Sequence, residues 1–428
     1  MRLPRREGGS SLTPLSEPPH ALIAGAGIGG LTAALALARR GWRITLIERR
    51  DGHEDIGAGL QISPNASAIL RDLGLLPKLI EASLAPEAVH IHRARDGATL
   101  ARLPLIDAES RWGAPYLYAH RADLIRVLRE AALAEPGVAF HPQTALAGFD
   151  QTSHGVTVAA LRDAMRVSFS ADCLIGADGV RSFVRARNAA LQGKADDLPK
   201  LAHYVAWRAL VPADRVAAAL RAPESALWLG AGAHLVHYPL RGGSVINVVA
   251  VIDAVWPLDD KADLWSQPGD PAFIATRFAR WAAPVRDLVA AAGDWRLWPL
   301  VERRTPAHWN NGRIALLGDA AHAMVPFLAQ GAAQAIEDAA ALAAQLVPGR
   351  DVPAALAAYS AARTARAGRV QSESRLQARR YHLRWPASRV RDAALRALGP
   401  ARLLGRYDWL YGAKTAWNTG MAEANPPI

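Results

Sequence analysis

Gly25-Ala26-Gly27-Ile28-Gly29-Gly30 is a G-x-G-x-x-G run, set between a short apolar stretch from Ala21 and a segment in which Leu31, Ala34, Leu35 and Ala38 recur at helical spacing. In a strand–turn–helix setting these glycines suit the binding of a pyrophosphate. Gly25 permits the tight turn, Gly27 lets the backbone approach the phosphates, and Gly30 lets helix and strand pack closely. The helix N-terminus adds free amides and a positive dipole end. Glu48 closes the alternating, β-branched run Arg43 to Glu48, where a carboxylate can take ribose hydroxyls. The glycine run alone is a weak signal. With both strands, the helix and Glu48 in place it reads as a dinucleotide-binding βαβ unit, without choosing the dinucleotide.

A second candidate for chemistry lies in Ala233-His-Leu-Val-His-Tyr-Pro-Leu240. On a strand His234, Val236 and Tyr238 share one face, and His237 points to the other. Histidine titrates near working pH, so His234 could act as a general base. A hydrogen-bonded core histidine beside a packed tyrosine fits the same pattern equally well. His90 and His92 share a strand face, but no third ligand has convincing spacing, so no metal is expected.

These residues need elements to position them. Gly41 ends the first helix, and Arg43 to Glu48 follows as a parallel strand through a right-handed crossover. Val89 to Ala94 and Ala98 to Leu103 flank Arg95-Asp96-Gly97 as a hairpin. The chain from about 201 to 254 is strand-like, Arg313 to Leu317 is a last parallel strand, and Gly331 to Leu346 is an Ala-rich helix. Beyond 350 the chain is helical and arginine-rich. The reading is an α/β protein: a dinucleotide-binding domain, interrupted by a β-rich layer and closed by C-terminal helices.

The bulk properties agree. With 428 residues, 51% of them hydrophobic, the chain can bury a large core and is not a disordered one. The net charge of +11 is dispersed and mostly arginine, without a basic block or interleaved aromatics. It suits attraction of anionic cofactors and acids better than a nucleic-acid surface. A single cysteine, Cys173, excludes an intrachain disulfide and fits a cytoplasmic setting. Residues 1–19 carry no apolar core of a signal peptide and read as a flexible leader. The uncharged run Ala21 to Ala38 is read as a phosphate loop and its helix, so no membrane segment is expected.

Two later motifs sharpen the reading. Asp172-Cys-Leu-Ile-Gly-Ala-Asp178-Gly179-Val-Arg-Ser182-Phe-Val-Arg185 and Arg313-Ile-Ala-Leu-Leu-Gly318-Asp319-Ala-Ala-His322 follow the glycine loop in order. Together the three resemble the fingerprints of single-component flavin-dependent aromatic hydroxylases, the salicylate hydroxylase-like family. The resemblance extends from about residue 20 to Trp409-Leu410-Tyr411-Gly412. It implies bound FAD, reduced by a visiting NADH or NADPH, since no second glycine fingerprint offers a nicotinamide domain. It further implies hydroxylation of a small phenolic acid-like aromatic substrate by O2 through a flavin hydroperoxide.

Carried over by residue, the resemblance implies that Asp319 binds a ribityl hydroxyl and that Asp178 serves both the flavin and the nicotinamide. It places Arg121, in Ala119-His-Arg-Ala-Asp-Leu124, near the FAD, and Val325 to Ala333 beside the isoalloxazine ring. A helix beginning near Gly331 would turn its amides and positive end toward an anionic reduced flavin, with Gly331 and Ala332 small enough for close approach. The candidate cofactor-binding residues are therefore Gly25, Gly27, Gly30, Glu48, Arg49, Arg121, Asp178, Asp319, Gly331 and Ala332. His234 and Tyr238 match pocket positions of phenolic-acid hydroxylases and are the catalytic candidates. Ala323 departs from the proline that relatives commonly carry there.

The implied organisation is a Rossmann-like FAD-binding domain in two parts, 20–190 (with the hairpin near 88–104 joining the substrate layer) and 301–348. A β-rich substrate domain spans 191–300, and C-terminal helices span 349–428, through which a homodimer is compatible. Competing readings are a flavin-dependent halogenase, a flavin epoxidase, or a flavin-binding regulator without catalysis. Trp295-Arg-Leu-Trp298-Pro299 superficially resembles the halogenase tryptophan box, but its spacing differs.

Overall fold

The computed structural model describes residues 17–51, 59–254 and 267–414. Nearly all of the expected N-terminal leader lies outside the described residues, as does the end of the C-terminal region. The fold is mixed α/β, with a Rossmann-like sheet, a second β-rich layer and C-terminal helices.

Strand His20–Ala24, helix Ile28–Ala38 and strand Arg43–Ile47 form the first βαβ unit. His20–Ala24 is central: Leu22 pairs in parallel register with Thr45 on one side and with Leu174, of strand Cys173–Gly176, on the other. Ile314–Leu316 continues the sheet beyond Cys173–Gly176, again in parallel, and Val138–His141 lies on the far side of Arg43–Ile47. Helix Ile28–Ala38 is buried almost all round, as its alanine- and leucine-rich sequence requires. It packs between the sheet, helix Arg121–Ala134 and helix Gly331–Gln345. The carboxyl ends of the central strands, where ligands bind in such sheets, therefore carry the Gly25, Asp178 and Asp319 turns together.

The β-rich layer is an eight-stranded sheet built from Lys200–Pro212, Glu224–Gly230, Ala233–Leu240, Val245–Asp253, Gln267–Pro268 and Arg296–Glu302. The hairpin Ala88–Arg93 and Thr99–Pro104 joins it by parallel pairing with Glu224–Gly230. Trp207, Trp281 and Trp295 fill the core on one face. The other face meets Tyr116, Tyr118, Leu403, Leu404 and Tyr411, so the C-terminal helices close over it. Trp295 and Trp298 are both packed into this layer.

Helix Val352–Tyr381 begins with an Asp351 side chain accepting from the Ala354 amide at 2.9 Å, with a proline in its first turn. Helix Ala387–Gly405 follows, kinked at Gly399 and Pro400. Among the described residues no helix is long and apolar enough to cross a membrane. Thr144–Gln151, Val156–Arg162 and Met165–Ala171 form an antiparallel meander. Its last turn uses Asp163 and Ala164, both with left-handed φ (50° and 63°). Such turns usually carry Asn-Gly or Asp-Gly. Here the glycine is missing, so the local signal is missing with it.

Candidate active site

The glycine loop is shaped by close backbone approaches. Gly25 has φ +106°, and a Cβ there or on Gly30 would collide with backbone: with Ala177 from Gly25, and with the Gly25 carbonyl from Gly30. Gly27 differs. As N-cap of helix Ile28–Ala38 it has nothing within 4 Å of an added Cβ, which is the open approach a pyrophosphate needs. Glu48 lies beside this opening. Its Oε2 accepts from the Ala26 amide at 2.8 Å and its Oε1 from the Arg50 amide at 3.1 Å. Arg49, next to it, is exposed.

Asp178 and Asp319 stand on adjacent strand ends. Ser182 Oγ donates to Asp178 Oδ1 at 2.5 Å, and the Val184 amide donates to Oδ2 at 3.0 Å, which docks the start of helix Phe183–Leu191. Burial pushes the Asp178 carboxyl above its ordinary pKa, against these hydrogen bonds. Asp319, by contrast, is exposed at the first position of the short helix Asp319–His322, after Gly318 with φ +65°. Arg185 ties the two turns together. Its Nη1 donates to the carbonyls of Ala320 and Ala321, both at 3.2 Å, and its Nη2 to the Arg304 carbonyl at 2.8 Å.

Behind these turns lies a buried ionic cluster. Asp338 Oδ2 accepts from the Gly318 amide at 3.0 Å and pairs with His322 Nε2 at 2.6 Å, and its Oδ1 accepts from Arg363 Nε at 2.7 Å. Glu337 takes Arg363, Arg366 and Asn65. Burial alone would raise both carboxyls, but the His322 and Arg363 charges hold Asp338 low, and Arg363 and Arg366 do the same for Glu337. Arg366 also donates to the carbonyls of Trp409 and Leu410, which anchors the C-terminal segment to this cluster. Asn65 and Ser63 hold Gln330, the residue before helix Gly331–Gln345. Gly331 itself has open space above it, and Ala332 is half-buried.

FAD fits this arrangement. The glycines that need contact with backbone have it, whereas Gly27 and Gly331, at two helix starts, face open space. The first amides of a helix have no partner within it, so both ends would offer donors, the first to a phosphate and the second to a flavin ring. Asp319 and Glu48 are carboxylates that could accept from cofactor hydroxyls, Glu48 beside the bonds it already takes from Ala26 and Arg50.

A cavity of about 620 Å³ adjoins the segment 326–329 that leads to Gly331. Its walls are mostly apolar: Ile91, Leu103, Leu229 and Val236 from the sheet, Phe327 from the loop and Tyr411 from the C-terminal segment. Ala329, in that wall, holds φ +52°, a costly conformation for a residue with a side chain. His234 faces the cavity from its strand and is 5% exposed. Burial, then the neighbouring His382, holds its pKa well below the usual histidine value.

Tyr238, on the same strand face, packs on Tyr118 with ring centroids 4.7 Å apart and lies close under Gly59. Burial raises its hydroxyl pKa. Arg121 opens helix Arg121–Ala134, and its charge adds to the burial that lowers the pKa of Arg208. Arg208 lies 5.3 Å from the Trp298 ring, and its Nε has no hydrogen-bond partner among the described residues. His90 Nε2 lies 2.8 Å from Glu224 Oε2, and His92 stacks on Trp228.

Residues 19–374 match the model of a family described as "FAD binding domain". The chain is 38% identical over 405 residues to 3-amino-4-hydroxybenzoate 2-monooxygenase of Streptomyces platensis, covering 93% of this chain and 97% of that protein. It is 34% identical over 402 residues to 3-hydroxybenzoate 6-hydroxylase of Polaromonas naphthalenivorans, covering 93% and 96%. Among solved structures, a salicylate hydroxylase substrate complex superposes with a TM-score of 0.80 at 26% identity, covering 97% of this chain and 100% of that one. The chain belongs to this FAD-binding family. Within it, it is a FAD-dependent monooxygenase of the aromatic hydroxylase type.

Proposed function

We propose that the enzyme hydroxylates a phenolic acid resembling a hydroxybenzoate, with NADH or NADPH as reductant, and that His234 is the base for the phenolic proton. The observation that carries this reading is the position of His234. It is a buried imidazole, its pKa held low by burial, in the wall of an apolar cavity that adjoins the loop leading to the Gly331 helix start.

FAD, when bound and reduced, supplies the oxygen-transfer chemistry. The chain supplies the rest. Gly27 and Glu48 take the pyrophosphate and ribose, while Asp319 and Asp178 hold the middle of the cofactor. Arg49 and Arg121 would add positive charge for the cofactor, and the Gly331 and Ala332 amides would be donors to its ring. The apolar walls exclude water from the reacting carbon. His234 withdraws the phenol proton, which makes the ortho and para carbons more nucleophilic. Tyr238 supports the same strand face. Arg380, Arg391 and Arg406 line the C-terminal wall and favour an anionic substrate, although Arg391 is already bonded to Asp392.

The relatives that act on 3-hydroxybenzoate and 3-amino-4-hydroxybenzoate support the substrate class. The test is a screen of hydroxybenzoates, aminohydroxybenzoates and hydroxynicotinates for stimulated NADH or NADPH oxidation. It includes identification of the product and incorporation of labelled molecular oxygen. Stimulation without oxygen incorporation by every member would overturn the assignment.

A further inference from the structure

His234 is connected away from the cavity through two further side chains. Its Nδ1 lies 2.8 Å from His382 Nε2, and His382 Nδ1 is hydrogen-bonded to Asp253 Oδ1. His382 follows the last residue of helix Val352–Tyr381, and Asp253 ends strand Val245–Asp253. His382 is 7% exposed, whereas the Asp253 side chain is 36% exposed. The chain of contacts therefore runs from the cavity wall to the surface.

The backbone fixes this line. The Gly232 amide donates to the His382 carbonyl at 3.2 Å, and the Asp253 amide donates to the Gly232 carbonyl at 2.9 Å. Arg277 Nη2 donates to the carbonyls of Ala231 and Gly232. Among the described residues, the other charged or titratable groups around His382 are Arg277, Arg384 and Tyr204.

The hydrogen-bond network assigns the protons. An ionised Asp253 only accepts, so neutral His382 carries its proton on Nδ1 and presents a bare Nε2. His234 must then donate from Nδ1, which leaves its own Nε2 bare. That is the form a base needs.

We propose that His234, His382 and Asp253 form a proton wire that carries the substrate's phenolic proton from the cavity to solvent and back. The inference rests on His234 acting as the base. The phenol O–H bond breaks and His234 Nε2–H forms. The His234 Nδ1 proton passes to His382 Nε2, and the His382 Nδ1 proton passes to Asp253, which releases it to water. No electrons are transferred. Each ring is left in the opposite tautomer, and reprotonation of the product's phenolate along the same line restores both. Without the wire, His234 would have to keep an imidazolium in apolar surroundings, which its burial strongly disfavours. His382 and Asp253 are positioning residues that act through His234.

The test uses FAD-loaded enzyme with His382→Gln, which keeps a hydrogen-bonding side chain but cannot relay a proton, and Asp253→Asn. Each is mixed with 3-hydroxybenzoate or 3-amino-4-hydroxybenzoate in weak buffer containing a pH indicator, and proton release is followed by stopped flow. The variants should bind the probe with near-unchanged affinity but release the proton about a hundredfold or more slowly, the scale of a lost acid–base group. Imidazole should accelerate release in His382→Ala. Wild-type release rates in both variants would overturn the wire. A second readout needs no substrate: NMR of ring-nitrogen-labelled histidines in the FAD-loaded enzyme should show both His234 and His382 protonated at Nδ1. Either ring protonated at Nε2 would also overturn it. If neither probe binds the wild type, the phenolic-acid reading fails for these probes, and the NMR result still decides the wire.

Discussion

Glu48 Oε2 accepts a 2.8 Å hydrogen bond from the Ala26 amide, so the carboxylate at the end of the second strand also closes the glycine loop. Glu48→Gln keeps the shape but makes the acceptor neutral, and hydrogen bonds to charged groups are the stronger kind. FAD affinity should fall about tenfold, equivalent to about 1.4 kcal/mol. Titration of apoprotein with FAD, followed by flavin fluorescence, measures this. An unchanged Kd would detach Glu48 from the cofactor.

The glycines of the loop separate folding from binding. A Cβ on Gly30 would meet the Gly25 carbonyl, while one on Gly27 would meet nothing within 4 Å. Gly30→Ala should therefore lower the melting temperature of apoprotein, with a penalty of about 1–3 kcal/mol for overpacking. Gly27→Ala should leave apoprotein stability nearly unchanged and weaken FAD binding by obstructing the pyrophosphate. Thermal melts with and without FAD test both, and equal behaviour of the two variants would contradict the division.

This contrast marks what a sequence can disclose. The βαβ unit, the 88–104 hairpin and the strand at 314–316 are legible because their signals are local: glycine punctuation, β-branched runs and helical spacing. The meander at 144–171 is not, because Asp163 and Ala164 make its tight turn without glycine. The site divides in the same way. Asp178, Arg185 and Asp319 belong to contiguous motifs, but Arg363 and Arg366 read as ordinary helix arginines until the fold brings carbonyls and carboxylates to them. His382 lies 148 residues from His234, and no spacing rule links them.

Asp319 and Asp338 should respond oppositely to mutation. Asp319 is exposed, so Asp319→Ala should change apoprotein stability by no more than about 0.5 kcal/mol. It should nevertheless weaken FAD binding by about 1.5–3 kcal/mol. Asp338→Ala leaves Arg363 with part of its buried charge uncompensated and should destabilise the fold by about 3–5 kcal/mol. Calorimetry and FAD titration on both variants separate these effects.

The same cluster sets an acid limit. Despite burial, His322 and Arg363 hold Asp338 below the ordinary carboxyl pKa, and Arg363 and Arg366 hold Glu337 below it. A carboxyl whose folded pKa is depressed contributes stability that is fully present above its unfolded value. That contribution is lost as pH falls through the folded value. The melting temperature should thus drop progressively below about pH 4. Asp338→Asn should flatten the drop, and a slope identical to wild type would remove Asp338 from the cause.

His234 carries the sharpest functional prediction. It belongs to the inserted sheet and to none of the flavin motifs, although its ring lies 5.3 Å from that of Phe327, so His234→Ala should still bind FAD and be reduced. Product formation should fall about a hundredfold or more, the usual scale of a lost general base. Oxygen should still be consumed, with hydrogen peroxide in place of product, because an un-ionised phenol is a poor nucleophile. Raising the pH should partly restore hydroxylation as solvent ionises the phenol. In wild type the acid limb should lie below pH 6.5, since burial keeps His234 neutral there. Tyr238→Phe should act more mildly on product formation, because Tyr238 packs on Tyr118 rather than in the cavity wall. Simultaneous measurement of oxygen uptake and product gives the coupling ratio. A His234→Ala enzyme that couples as well as wild type would make His234 an ordinary buried histidine.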